Sequence, residues 1–231
     1  MDTEASVKAL ALNISSCSEV QNAISDTSHP CHKVVTWQAK QWLPEIKTIE
    51  SSHMHRPEAW TGKLDLAPIM FLSSNPSFNA KENFPNWSKS EWNVERVIDF
   101  AVNRFTSDPK REYGATQCGE LVNLDRTIEH DGAISAKRVR YWSWVRQLVG
   151  FILEKPEIEI SAVSDYVMTE IVHCKSTYEE GVVDARKKCK DKYLDQVLKL
   201  SPAKIIFVVG KNAAQDMSSI FQENSLENGR K

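Results

Sequence analysis

LAPIMFLSSNPSFN, residues 66–79, begins as a near-continuous apolar run and ends in a cluster of turn-forming residues. The run from Ala67 to Leu72, with Pro68 near its front, fits a strand buried on both faces of a parallel sheet. Ser73, Ser74, Asn75, Pro76 and Ser77 then fall outside the carboxyl end of that strand, where open α/β sheets bind their ligands. Pro76 fixes its own φ and biases Asn75 toward an extended backbone, so a short amide side chain is held at the mouth of the sheet. Asn-Pro and serine-rich turns are also plain loop chemistry, and the stretch alone does not separate the two readings.

Two further stretches bear on the choice. Tyr166–Cys174, YVMTEIVHC, is a second buried-strand candidate ending in polar residues. Pro202–Gly210, PAKIIFVVG, is a third, running directly into a helix-like GKNAAQDM. Three strands are expected to aim their carboxyl ends at one crevice. Helical stretches alternate with them, which predicts a three-layer α/β/α fold around a central, mainly parallel sheet.

The 231 residues, 41% of them hydrophobic, suffice for one sizeable core. A single domain is expected, with residues 1–60 as an N-terminal helical part and residues 61–231 as the α/β core, complete or C-terminally shortened. Lys and Arg number 29 against 31 Asp and Glu, a net charge of -2, so any nucleic-acid surface must be local. No apolar run is long enough to span a bilayer and no cleavable leader starts at Met1, which predicts a soluble cytoplasmic protein with no membrane partner. The five cysteines are an odd number without a compact framework, which favours reduced thiols over disulfides.

Along the chain, Val7–Ile14 and Val34–Leu43 carry apolar residues at helical spacing, with a break at Ser28, His29 and Pro30. Trp37 and Trp42 there suit packing better than base stacking. Residues 50–63 read as a loop with solvated His53 and His55. Helices are expected over Ser90–Phe105, Lys137–Leu153 and Tyr178–Leu200. The polar stretch Ser107–Lys137 is long for an unstructured connection and reads as a functional loop or an insertion. Its Lys110, Arg111 and Arg126, with Lys137, Arg138 and Arg140 at its end, are either phosphate contacts or a solvated face.

SNPS at Ser74–Ser77, EIVHCKS at Glu170–Ser176 with Cys189, Tyr193 and Leu194 downstream, and LSPAKIIFVVGKNA at Leu200–Ala213 together resemble the uracil-DNA glycosylase superfamily. SNPS is similar to its Gly-Met-Asn-Pro-Gly type of first motif, and the resemblance covers roughly residues 66–214. It implies an enzyme that flips a nucleotide out of DNA and hydrolyses its N-glycosidic bond. Asn75 would then position the attacking water, while Ser74, Pro76 and Ser77 line the base or an adjacent phosphate. An aromatic residue shortly past the first motif stacks on the extruded base, and here Phe84, Trp87 and Phe78 are the candidates.

Two positions bear on which base is bound. The uracil-restricted members have a bulky tyrosine where this chain has Ser77, which leaves room for a C5 substituent. In the iron-sulfur branch, the asparagine that reads the uracil edge stands four residues before the cysteine matched by Cys174; that place is Glu170 here. A protonated glutamic acid complements the N3 acceptor and N4 donor of cytosine, and a buried carboxyl has the raised pKa this requires. Ser77 and Glu170 together point to a cytosine bearing a C5 group, as in hypermodified phage DNA, and to an antiviral role. A shift of register would place Thr169 or His173 against the base instead. The alternative reading of Glu170 is a strand-end carboxylate paired to a lysine or arginine.

The chain also departs from the family. No His-Pro turn follows Gly210, so the second catalytic role is expected to be lost, to lie outside a shortened sequence, or to pass to His173 or His53. Cys174 and Cys189 match the later cysteine pair of the iron-sulfur members, but the early Cys-x-x-Cys is missing, and Cys17, Cys31 and His32 do not replace it by spacing. No metal or cofactor is therefore expected, and the cysteines are expected to be buried thiols. The reading is a monofunctional DNA glycosylase with DNA as its partner. Uracil or mismatch repair is the alternative, and a catalytically silent DNA- or protein-binding module is the second. A small-molecule nucleotide enzyme is disfavoured because the chain has neither a P-loop nor a Gly-x-Gly-x-x-Gly fingerprint.

Overall fold

The computed structural model describes residues 3–78, 85–87, 92–104, 120–122, 128–130 and 140–218. In chain order these form α1 (Thr3–Ser15), α2 (Ser18–Ser25), α3 (His32–Trp42), β1 (Ile69–Ser73), α4 (Val94–Asn103), β2 (Glu120–Val122), β3 (Ile128–His130), α5 (Arg140–Leu153), β4 (Tyr166–Glu170), α6 (Val182–Cys189), α7 (Asp195–Leu200) and β5 (Ile205–Val208). A further helical segment covers residues 211–218. The apolar run that opens the analysis is β1, the middle strand of an open parallel sheet ordered β4-β1-β5. β2 and β3 form a separate antiparallel pair.

Alternate side chains of the sheet enter different cores. Met70, Val167 and Ile206 pack with Leu10, Ile14, Val34, Val182 and Val197 from α1, α3, α6 and α7. Ile69, Phe71, Tyr166 and Met168 pack with Val145 and Val149 of α5. Both faces of β1 are thus covered, which is why its sequence is continuous rather than alternating in polarity. The chain is of the α/β class with a small parallel sheet, as the three apolar stretches predict. No helix among the described residues is long and apolar enough to cross a membrane.

Three sequence expectations are corrected. The helix expected over Tyr178–Leu200 starts at Val182 and is interrupted by a π-helical turn at Lys190–Leu194. That turn turns both Tyr193 and Leu194 inward, and the Tyr193 hydroxyl donates to the Asn13 carbonyl of α1 at 3.1 Å. Before it, Gly181 has φ +74°, and a Cβ there would meet the Val34 nitrogen at 2.3 Å, so only glycine lets α3 approach. The strand expected over Tyr166–Cys174 ends at Glu170, although Ile171 and Val172 still donate to the Ser73 and Ser74 carbonyls at 3.0 and 2.9 Å.

The third correction concerns residues 50–63. His55 is buried rather than solvated, its ring 5.2 Å from that of Phe78. The segment is no surface loop, because it runs antiparallel along β4. Thr61 and Met168 exchange both backbone hydrogen bonds, Glu58 donates to the His173 carbonyl at 2.8 Å, and the Thr169 hydroxyl donates to the Ala59 carbonyl at 3.1 Å. This covers the outer edge of β4, buries Trp60, and carries the Glu58 carboxylate inward.

Candidate functional site

A cavity of about 220 Å³ opens at the carboxyl ends of β1 and β4. Asn75, Pro76 and Ser77 line one side of it, Glu170 and Met168 another, and Glu58, Arg104, Tyr141 and Lys175 complete it. Parallel pairing sets the first two sides, since Ser73 stands opposite Glu170 in register. Beyond the strands the two loops remain joined, with Ser176 donating to the Pro76 carbonyl at 3.0 Å. The Asn75 amide nitrogen donates to the Pro76 and Ser176 carbonyls at 2.9 and 3.1 Å. With both amide protons committed, Asn75 is left with Oδ1 as a fixed acceptor, suited to orienting a water.

Electrostatics divide the two carboxyl groups of the cavity. Glu58 is deeply buried, which alone would raise its pKa. Arg104 and Lys175 outweigh that and keep it ionised, well below the usual carboxylate range. Arg104 Nη1 lies 2.6 Å from Glu58 Oε1, which also accepts from the Thr61 hydroxyl at 3.2 Å, and Lys175 Nζ lies 3.0 Å from Oε2. Glu170 is shifted the opposite way. Burial and the neighbouring Glu58 charge push it well above its ordinary value, and Arg104, Lys175 and a hydrogen bond from Ser73 offset this only in part. Its Oε2 is buried with no hydrogen-bond partner among the described residues. Two carboxyl groups in one cavity thus have their pKa values pushed in opposite directions, a pattern typical of functional sites.

The remaining sequence candidates are distributed as follows. Ser74 is buried behind the strand end and lines no part of the cavity. Phe78 packs edge-on against Trp37, with ring centres 5.7 Å apart, and against His55. Trp87 lies under the Arg56 guanidinium, 4.4 Å from its ring centre. Phe84 and the basic residues Lys110, Arg111, Arg126, Lys137 and Arg138 lie outside the described residues. His173 does not face Asn75. Its Nδ1 is 2.7 Å from the Glu58 carbonyl, and burial lowers its pKa to about 4 despite that hydrogen bond and the Glu58 charge, so the ring is neutral. Glu58, Arg104 and Lys175 were missed by sequence reading. The one signal for Glu58 is a carboxylate set between Pro57 and the apolar Ala59 and Trp60.

His173 instead faces a second, small cavity lined by Cys17, Cys31, Cys174 and Cys189, with Tyr193 beside them. Cys17 immediately precedes α2 and Cys31 immediately precedes α3, so the α2 turn replaces sequence adjacency in bringing them together. Burial above all, then the charges of the other three cysteines, raise Cys174 well above a normal thiol; burial pushes Cys31 and Cys189 up to about 12. Such thiols stay protonated unless a metal displaces the protons. Among the described residues no three His, Cys, Asp or Glu side chains could hold a single metal ion. Four cysteines around one cavity are instead the donor set of an iron-sulfur cluster, whose sulfides and irons sit between the thiolates. The early Cys-x-x-Cys that the sequence lacks thus has a counterpart in space, with Cys17 and Cys31 lining the same cavity as Cys174 and Cys189.

Compared with protein-family models, with curated proteins and with solved structures, the chain matches none of them significantly.

Proposed function

We propose that the protein is a monofunctional DNA glycosylase acting on a flipped pyrimidine, with a C5-substituted cytosine as the preferred base and defence against modified phage DNA as the role. One observation carries this reading: Asn75, with Oδ1 left as an acceptor, and a Glu170 carboxyl whose pKa burial raises stand at the ends of neighbouring parallel strands in one cavity. A neutral carboxyl presents a donor and an acceptor side by side, the pattern that meets N3 and the exocyclic group of a pyrimidine. Ser77 is exposed at the rim and leaves the C5 side open. Met168, Tyr141 and Pro76 supply surface for the ring.

In the reaction, the C1′–N1 electron pair leaves with the base. A water held by Asn75 bonds to C1′, and its proton ends on the base nitrogen. An amide activates water weakly, so most of the rate must come from electrostatic stabilisation of the separating charges. Cys17, Cys31, Cys174 and Cys189 are the residues that would hold an iron-sulfur cluster. Bound there, such a group would cross-link the N-terminal helices to the β4–α6 connection through Cys174 and to the end of α6 through Cys189.

The test is alkali-revealed strand cleavage of oligonucleotides carrying uracil, thymine mismatches, cytosine, hydroxymethylcytosine or its glucosylated form. Release of a modified cytosine with uracil left intact is expected. Turned over, the Glu170 donor-acceptor pair also meets uracil, so release of uracil alone would move the reading to base-excision repair. DNA binding with no abasic product on any substrate would leave a silent binding module.

A further inference from the structure

Tyr178 is 98% exposed, and its backbone lies in the left-handed region at φ +57°. Glu179 follows at the same φ, so two consecutive residues with a Cβ hold a conformation that favours glycine. Such strain persists only where the surroundings fix it, and here both flanks are fixed. Before the ring, Ser176 donates to the Pro76 carbonyl at 3.0 Å and its own carbonyl accepts from the Asn75 amide at 3.1 Å. Gln38 Nε2 donates to the Lys175 carbonyl at 3.2 Å. After the ring, Val182 donates to the Glu179 carbonyl at 3.0 Å, and Gly181 packs against the Val34 backbone. Both acidic neighbours are engaged: Glu180 pairs with Lys33 at 3.0 Å, and Glu179 accepts from Asn212 in the first turn of the helical segment after β5. Residues 175–181 are thus pinned to the turn after β1 and to the helix after β5. They carry Tyr178 into solvent two residues beyond the carbonyl that holds Asn75.

Resting on the glycosylase reading above, we infer that Tyr178 enters the DNA base stack and fills the space left by the flipped nucleotide. Flipping breaks stacking on both sides of the target, and an unfilled gap lets the base return. A planar ring that slides into the gap restores stacking without reading any sequence. Tyr178 suits this by place, since it stands three residues from Lys175 on the wall of the cavity that would receive the base. It suits it by rigidity as well, because a pinned backbone needs no ordering when DNA arrives. Burial of the ring does not offset the strain beneath it, which points to a contact outside the chain.

The experiment is single-turnover base release by the full chain from oligonucleotides carrying uracil, hydroxymethylcytosine or its glucosylated form, each as a duplex and as the unpaired strand. Wild type is compared with Tyr178→Phe, Tyr178→Ala and Tyr178→Gly. On whichever base wild type releases, Tyr178→Ala is expected to be slower by about 10-fold or more on the duplex and by less than about twofold on the single strand, where no paired stack is opened. Tyr178→Phe should keep the wild-type rate, because the ring does the stacking. A pyrene nucleotide opposite the target occupies the space of a base pair, and it should restore the alanine variant to within about threefold of wild type. Glycine relieves the strain at φ +57°, so Tyr178→Gly should lose duplex release as alanine does yet melt no lower than wild type. An equal loss on duplex and single strand, a duplex rate that alanine leaves unchanged, no rescue by pyrene, or a lowered midpoint for the glycine variant overturns the inference and leaves the glycosylase reading in place. Wild-type protein that releases none of these bases in either form overturns that reading, and the inference with it.

Discussion

Asn75 and Glu170 make opposite demands on a mutation. Asn75→Ala removes the water-orienting oxygen and two hydrogen bonds to loop carbonyls. We expect cleavage to fall by about 100-fold or more while binding to abasic product DNA persists, as rate and affinity measured together will show. On the proposed reading, Glu170 acts through its proton. Its folded pKa is raised, so binding that needs the neutral carboxyl is retained at low pH and lost as pH rises through the raised value. In Glu170→Gln the donor-acceptor pair cannot titrate, and the alkaline limb of the cleavage-pH profile should disappear; persistence of that limb would assign it to another group. The structure brings both to one cavity, and in the sequence Asn75 was picked out by the Asn-Pro turn past β1 and Glu170 by its place in the resemblance, four residues before Cys174. Glu58, Arg104 and Lys175 were not, because a buried ion pair leaves no periodic signature: Glu58 sits in a segment without regular structure, Arg104 just past α4, and Lys175 in a loop.

Among the elements, the three sheet strands were readable for a physical reason: burial on both faces writes itself as an unbroken apolar run. The antiparallel segment at Glu58–Thr61 was hidden, since it lies at a sheet edge and carries two polar residues inward. Glu58 now holds that segment to α4 and to the β4 loop. Glu58→Ala leaves Arg104 and Lys175 buried without their common counter-charge, and we expect a loss of about 3–5 kcal/mol in denaturant unfolding. The thiol cavity was hidden by distance along the chain, because Cys17 and Cys31 meet only through the α2 turn. Protein prepared without oxygen should contain iron and acid-labile sulfide and absorb in the visible. Cys31→Ser should abolish both signals and lower the thermal midpoint, and colourless wild-type protein with four titratable buried thiols would exclude the cluster.

Taken as a whole, the molecule is close to electrically balanced, with a net charge of -2, so on the proposed reading any affinity for duplex DNA comes from a few placed contacts. The logarithmic salt dependence of binding should be shallow, with a slope no steeper than about −4, roughly four phosphates at −0.9 each. Residues 171–176 form the wall between the two cavities, with His173 and Cys174 on the thiol side and Lys175 on the Asn75 side. Adjacent residues of this one extended wall thus look into different chambers, and a shift of one moves its neighbour. The wall also unites early and late parts of the chain, since Cys17 and Cys31 meet Cys174 and Cys189 across it. During synthesis, β1 and its Asn-Pro turn emerge long before Lys175, Ser176 and Cys189 can take their places. The crevice is therefore among the last parts of the protein to mature, and an unfinished chain carries the Asn75 amide without the Ser176 carbonyl that holds it in place.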